Sequence, residues 1–569
     1  MWMTLSRLTS RAFGTRPAGG GRRPPPRFRP ALQPLEGRLV PATILVTTRA
    51  DVVNPADHLV SLREAVTRAN ELPGTDTIVL PAGIYRIALT GADDTNAAGD
   101  FDVTDGTVFR GAGAGATFID GRRLDRVFDV RGTSPSSIAV TFQGLTVRNG
   151  LADAGGGGGI QVGDADLVVR DSVVTGNQAG RAGGGISNAA RPGTGNVTVV
   201  RTLVARNVSG GAGGGIDVEA NAQGQGGLLD VRGSTIRQNL SGDGGGINAG
   251  TLTMTASTVA GNSSGSRGGG IRATTVTLTN STVSNNSADN GGGGIIAVTA
   301  TLTNSTVSGN FGIDFGGGIA ADVATLTNST VRGNTVRGGD GGGIFADTAT
   351  LTGSTVDGNF AENSGGGVAA GTVTLTRSTV SNNFAHQDGG GIAAAVAATL
   401  VNSTVSGNTA ALDGGGIRAS GVRLLNATIT GNIGRNGGGV FLAPGGTSDV
   451  RNTIVAGNLV SLGHAGPDLS GFFTSGGHNL IGDGTDAGGF ADGAHGDQVG
   501  TAVDPIDPRL GPLAFNGGRT RTHALRAGSP AIDRGDGADV PATDQRGVAR
   551  VRDGDGNGRR VVDIGAVER

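Results

Sequence analysis

The 569-residue chain has no cysteine and no lysine, so each of its 45 basic residues is an arginine. Without cysteine there is no disulfide, no thiolate metal ligand and no thiol nucleophile. That suits an exposed protein held together by stacking rather than by cross-links. Without lysine, no lysine base is available for lyase chemistry. Aromatic residues make up 3%, with one tryptophan (Trp2) and one tyrosine (Tyr85), so stacking platforms for sugars are nearly absent. Charged residues are only 16% and the net charge is −2, which offers no bulk attraction to nucleic acid. No apolar run reaches membrane-spanning length.

Glycine, by contrast, is abundant at 109 residues. It lacks the three-residue period of collagen, and it recurs as Gly-Gly-Gly followed by an apolar residue. That apolar residue is Ile160, Ile186, Ile216, Ile247, Ile271, Ile295, Ile319, Ile344, Val368, Ile392, Ile417 and Val440. From Ile247 onward the spacing is 23 to 25 residues. A fixed period in this range means stacked units, not one globular core. Within a unit, segments such as Thr275-Val276-Thr277-Leu278-Thr279 alternate as strands do. Glycine and asparagine separate them and tolerate the positive φ of tight corners. No window is long enough for a helix.

The expected fold is therefore all-β: a right-handed, single-stranded parallel β-helix of about 12 coils of about 24 residues, roughly 55 Å long. Ile319, Leu326 and Val331 are expected to point inward from three different strands. The competing leucine-rich repeat needs more leucines per unit and a different convex side. Stacking also explains Asn262, Asn286, Asn310, Asn334, Asn359, Asn383, Asn408 and Asn432, whose amides can bond along the axis. A second line at Asn280, Asn304, Asn328, Asn402 and Asn426, interrupted at Gly353 and Arg377, is expected to do the same. Phe360 and Phe384 are expected to stack.

Four regions follow. Residues 1–42 form a basic, disordered leader with Pro24-Pro25-Pro26 and no signal-peptide h-region. Residues 43–143 hold the first coils and an amphipathic helix opened by the capping box Ser61-Leu62-Arg63-Glu64. Leu62, Ala65, Val66 and Ala69 fall on one face, and the helix is expected to cap the open end of the stack. Residues 144–458 are the repeats, and residues 459–569 a non-repetitive C-terminal domain.

Three resemblances attach to particular residues. Val60-Ser61-Leu62-Arg63-Glu64-Ala65, with Asp76-Thr77-Ile78 and Pro81-Ala82-Gly83, resembles the Cys-Ser-Leu-Arg-Glu-Ala module of bacterial right-handed β-helix surface proteins. Val60 stands where that family carries cysteine, so any role of the thiol is missing. The Gly-Gly-Gly-Ile and Gly-Asn units are similar to repeats of chlamydial polymorphic outer-membrane proteins. His523-Ala524-Leu525, Gly528-Ser529-Pro530-Ala531-Ile532-Asp533, Thr543-Asp544-Gln545-Arg546-Gly547 and Asp563-Ile564-Gly565-Ala566 resemble the choice-of-anchor Q domain. In addition, Leu35-Glu36-Gly37-Arg38 with Pro41-Ala42 resembles a leader of exported bacterial proteins. No apolar sorting tail follows, which counts against a C-terminal anchor. Together the resemblances imply an exported protein, extracellular or on the outer-membrane surface.

Parallel β-helices also carry polysaccharide lyases and hydrolases, whose chemistry needs carboxylates converging on one sugar. Asp388 and Asp413 precede Gly-Gly-Gly in adjacent coils, about 5 Å apart if stacked, with His386 nearby. Solvated loop acids flanking a glycine turn are the plainer reading. Asp553-Gly554-Asp555-Gly556-Asn557-Gly558 has the D-x-D-x-N-G form of a calcium loop. Its candidate ligands are Asp553, Asp555, Asn557 and Asp563; the twelfth position is Ile564 instead of glutamate, and a plain Asp-Gly turn is the alternative. The sequence leans toward a monomeric, non-catalytic surface passenger without cofactor, adhesin-like or architectural, with glycans or envelope proteins as partners. A polysaccharide lyase or glycoside hydrolase is the second reading.

Overall fold

A computed structural model describes residues 41–569 except 92, 133–137, 189–194, 221–226, 462 and 465. Residues 1–40, all but the last two of the expected leader 1–42, lie outside the described residues. From Thr43 onward the chain is an all-β parallel solenoid of about 14 turns. One coil is Ile271–Thr279, Thr282–Ser284 and Ser287–Ala288. The next pairs with it in parallel register, Ile271 on Ile295, Thr282 on Thr306 and Ser287 on Phe311. One of the three resulting sheets has 13 strands, one per coil. Among the described residues the only helices are Leu62–Glu71 and the short Ala494–Gly496. The helix-bearing horseshoe is thereby excluded.

The inward beats differ from expectation in one respect. Ile319 and Leu326 both face the core, but from one nine-residue strand, Ile319–Thr327. Ala321 and Ala324 are both buried three residues apart, so the two-residue alternation breaks there and the strand bends without ending. Val331 comes from the second strand and Val336 from the third. A bend at alanine looks like continuous alternation in sequence, which hides the corner.

Each glycine of the triplet has its own reason. Gly268 has φ +65°, a conformation that favours glycine. A Cβ on Gly269 would lie 2.3 Å from the Ser287 carbonyl oxygen, and one on Gly270 would lie 2.9 Å from Asn286 Nδ2. The glycine turns thus close over an asparagine ladder. Asn286 Nδ2 donates to Asn310 Oδ1 at 3.0 Å and to the Val259 carbonyl at 3.1 Å, while Asn310 Oδ1 also accepts from Asn286 N. The same bonds recur from Asn177 to Asn458, and Asp468 accepts from the last member. A parallel serine ladder, in which Ser281 N donates to Ser305 Oγ, runs beside it.

The second asparagine line is corrected. Asn280, Asn304 and Asn328 form no amide–amide bonds; what they share with Gly353 and Arg377 is φ between 50° and 57°. Left-handed geometry, which asparagine tolerates and glycine adopts freely, explains the interruptions. Phe360 and Phe384 do stack, at 5.6 Å and 6°.

Two regions flank the repeats. The helix Leu62–Glu71 carries the capping box, Ser61 Oγ accepting from Glu64 N and Glu64 Oε2 from Ser61 N. Its Leu62, Ala65, Val66 and Ala69 are buried in the same core as Ile78, Phe101 and Phe128. After Asn458 the coils continue without sequence repetition, Ile454–Val455 pairing with Leu480–Ile481 and these with Gln498–Val499. The remaining chain lies along the flank of the stack. Gln545 bonds Ser378, Thr379 and Thr404, His523 bonds Ser406, and Ala566 N donates to Thr428 Oγ1. Pro41–Arg569 is accordingly one compact unit.

Candidate functional site

The repeat acids are engaged in stacking. Asp388 Oδ1 accepts from Asp413 N at 3.0 Å, so the lower carboxylate holds the backbone of the coil above. Asp413 in turn accepts from Asn436 Nδ2 at 2.8 Å and Arg435 at 3.4 Å. Asp340 takes Ser364 N, and Asp243 takes Arg267 N, in the same manner. His386 does not join them: Nδ1 meets Glu362 at 3.0 Å, and the ring sits edge-on to Phe360 and Phe384.

The C-terminal loop keeps most of its candidate ligands in turn geometry. Asp553 accepts from Gly556, Asn557 and Gly558, and Asp555 from Asn557. Asp563 is buried and bonds Asp533 N and Arg569 N instead. The carboxylates that converge within 4.8 Å are Asp533, Asp553 and Asp555. Asp533, twenty residues upstream, was not a sequence candidate because the chain's return along the flank brings it there.

A cluster of charged side chains lies at the other end, beside the first coils. Asp93, Asp94, Asp100, Asp125 and Asp129 line a pocket of about 260 Å3 with Arg126 and Arg131. Arg126 reaches Asp100 at 2.9 Å and Asp129 at 3.5 Å; Arg131 reaches Asp129 at 2.7 Å, Asp102 at 3.1 Å and also Asp94. Burial, reinforced by Asp102, Asp125 and Asp129, pushes Asp100 up to about 8 against the pull of Arg126. Burial also raises Asp102 to about 6. A carboxylic acid protonated at neutral pH beside ionised carboxylates can donate a proton while its neighbours balance positive charge. No local motif marks this group, which is assembled from separate coils; the acid-rich string Asp93–Asp102 is the one sequence signal that could have drawn attention to it.

Strand register extends the pocket into a polar row. Asp102 pairs with Asp129, then Gln161, Ser187, Asp217, Asn248 and Arg272, one per coil. All but Arg272 are buried. Asn248 Nδ2 donates to Asp217 Oδ1 at 2.5 Å and to Glu219 at 3.1 Å, and Arg272 donates to Asn248. Burial lifts Asp217 to about 7. Further along, Ile296, Ala320 and Phe345 continue the row into a pocket of about 470 Å3 with Phe315, Asp322 and Asp347.

No protein-family model matches the chain, and no curated protein matches it. Among solved structures it is similar to the pectate lyase Pel9A, at 14% identity over 93% of this chain and 96% of that one, with a TM-score of 0.21. A likeness this loose transfers neither a site nor an activity.

Proposed function

We propose that the protein is an exported right-handed β-helix, at the cell surface or outside the cell, that acts by binding and not by catalysis. The observation that carries this reading is the use of the repeat acids. The Asp388 carboxylate accepts the Asp413 backbone N–H, so the acid that the sequence offers as a catalytic candidate joins one coil to the next. The resemblances at Ser61-Leu62-Arg63-Glu64 and along His523–Ala566 support export and surface display, with glycans or envelope proteins as partners. In this reading the helix after Ser61 caps the first coils, supported by the burial of Leu62, Val66 and Ala69.

One observation favours a second reading, polysaccharide lyase or hydrolase chemistry: Asp100, pushed up to about 8 by burial although Arg126 lies 2.9 Å away, is set among carboxylates that line a pocket. Glycan-array binding run beside reducing-sugar and unsaturated-product screens on acidic polysaccharides separates the two. The binding reading expects glycan retention without product, unchanged by Asp388→Asn with Asp413→Asn. Product release abolished by Asp100→Asn would replace it with the enzymatic one.

A further inference from the structure

Six consecutive coils of the long sheet carry an outward grid of threonines. Its middle column is Thr253, Thr277, Thr301, Thr325, Thr350 and Thr374, paired rung on rung. Columns two residues to either side run from Thr251 to Thr372 and from Thr255 to Thr376, with Val323 the single departure. Between the columns, Leu252, Met254, Val276, Leu278 and their equivalents are fully buried, so the threonines all face the same way. Register is unbroken across these coils and first shifts where Ala370 and Thr372 meet the next one.

Three properties narrow what such a face can bind. First, its own rungs are uncharged: charge begins at Asp230 and Arg232 on one side and, beyond Thr399, at Arg423 on the other, with Asp322, Asp347 and Arg377 along its edges. Ionic minerals and charged polymers therefore find counter-charge only at its margins. Second, it contains no aromatic ring on which a glycan sheet could stack. Third, among the described residues none of its hydroxyls hydrogen-bonds within the protein. Where a threonine column of the neighbouring sheet does have a protein occupant, the hydroxyls are bonded: Thr379 to Arg521, Thr404 to Gln545 and Thr428 to Ala566.

The face is also evenly spaced. Across the grid the asparagine ladder keeps amide bonds of 2.9–3.0 Å and the serine ladder 3.1–3.2 Å. Side-chain ladders of this kind suppress the usual twist of a sheet. Threonine is stiff at χ1 in a strand, so the hydroxyls and methyls repeat with the backbone, about 4.8 Å between coils and about 6.6 Å between columns. The area is roughly 600 Å2, less than the about 800 Å2 per partner of a standard protein interface. An uncharged surface with alternating methyls and hydroxyls, each both donor and acceptor, complements a lattice whose every node is both donor and acceptor.

We propose that this threonine grid binds the surface of ice, a regular lattice in which every water both donates and accepts hydrogen bonds. The proposal goes beyond the function above and stands whether or not the acidic pocket performs chemistry.

The test uses the full chain in ice-recrystallisation and thermal-hysteresis assays. Thr301→Lys with Thr325→Lys places two charges in the middle column and should raise the concentration needed for inhibition at least about tenfold, the scale of losing one good contact. Thr282→Lys with Thr306→Lys, in the neighbouring sheet, should change nothing. If the lysine pair fails to fold by thermal melting, Thr301→Ser with Thr325→Ser should still weaken inhibition by removing the methyls that lock the hydroxyls. Absence of ice activity in the wild type overturns the proposal, as does full activity in the grid variants. Self-association, or retention on crystalline cellulose, that the grid variants abolish without any ice activity assigns the face to that partner instead.

Discussion

Asn334→Ala tests whether the stack depends on its asparagine ladder. Asn334 is fully buried. Its Nδ2 donates to Asn359 Oδ1 at 2.9 Å and to the Val307 carbonyl at 3.1 Å. Its Oδ1 accepts from Asn310 N at 3.0 Å and Asn310 Nδ2 at 2.9 Å. Alanine removes all four bonds, and at about 1 kcal/mol each the loss is about 4 kcal/mol before any penalty for the stranded partners. In a solenoid such a loss falls on the interface between adjacent coils. Urea unfolding should therefore show a lower midpoint, and hydrogen exchange should quicken first in the coils around Ile319 and Ile344. Asn334→Asp adds a sign test. Its carboxylate would face the Asn359 and Val307 oxygens, so the fold favours the protonated form and raises the pKa above its unfolded value. Stability is then present at low pH and lost as pH rises through the folded pKa. A loss from Asn334→Ala below about 1 kcal/mol, or an Asp variant more stable at pH 8 than at pH 4.5, would refute the reasoning.

Other outcomes follow from the same bonds and burial. Val66→Asp places an unpaired charge against the first coils and should cost several kcal/mol, read as a lowered melting temperature; a wild-type melt would show that the helix does not matter there. Asp100, Asp217 and Glu568 are raised by burial to about 8, 7 and 7, and Asp102 and Asp468 to about 6. Each folded pKa exceeds its unfolded value, so the fold binds more protons between about pH 4 and pH 8. The urea midpoint should accordingly be higher at pH 5.5 than at pH 8, and a flat or opposite trend would count against these burials. Gln545→Ala removes the bonds to Ser378, Thr379, Thr404 and Thr520 and should expose the C-terminal flank to limited proteolysis while the coils stay protected. Unchanged cleavage would mean that the flank is held elsewhere.

The architecture was legible in one dimension, because in a stacked coil each position meets its own equivalent one period later. A recurring Ile, Asn or Gly therefore reports its own neighbour, and the pairings of Ile271 with Ile295 and of Asn286 with Asn310 were legible as periodicity. The capping box at Ser61 was legible because its bonds span three residues. Corners were not: a bend at Ala321 preserves the appearance of alternation, and left-handed Asn280 looks like a ladder member. Charge clusters were hidden for a different reason. Arg63, fully buried against Asp51 and the Gly99 carbonyl, sits in a helix whose pattern marks it as polar. Asp100 and Asp129, and likewise Asp533 with Asp553, come together only when unlike segments are laid side by side. Repetition makes like residues adjacent and so readable in one dimension; contacts between non-equivalent positions depend on how the irregular ends return to the stack, which only the tertiary structure decides.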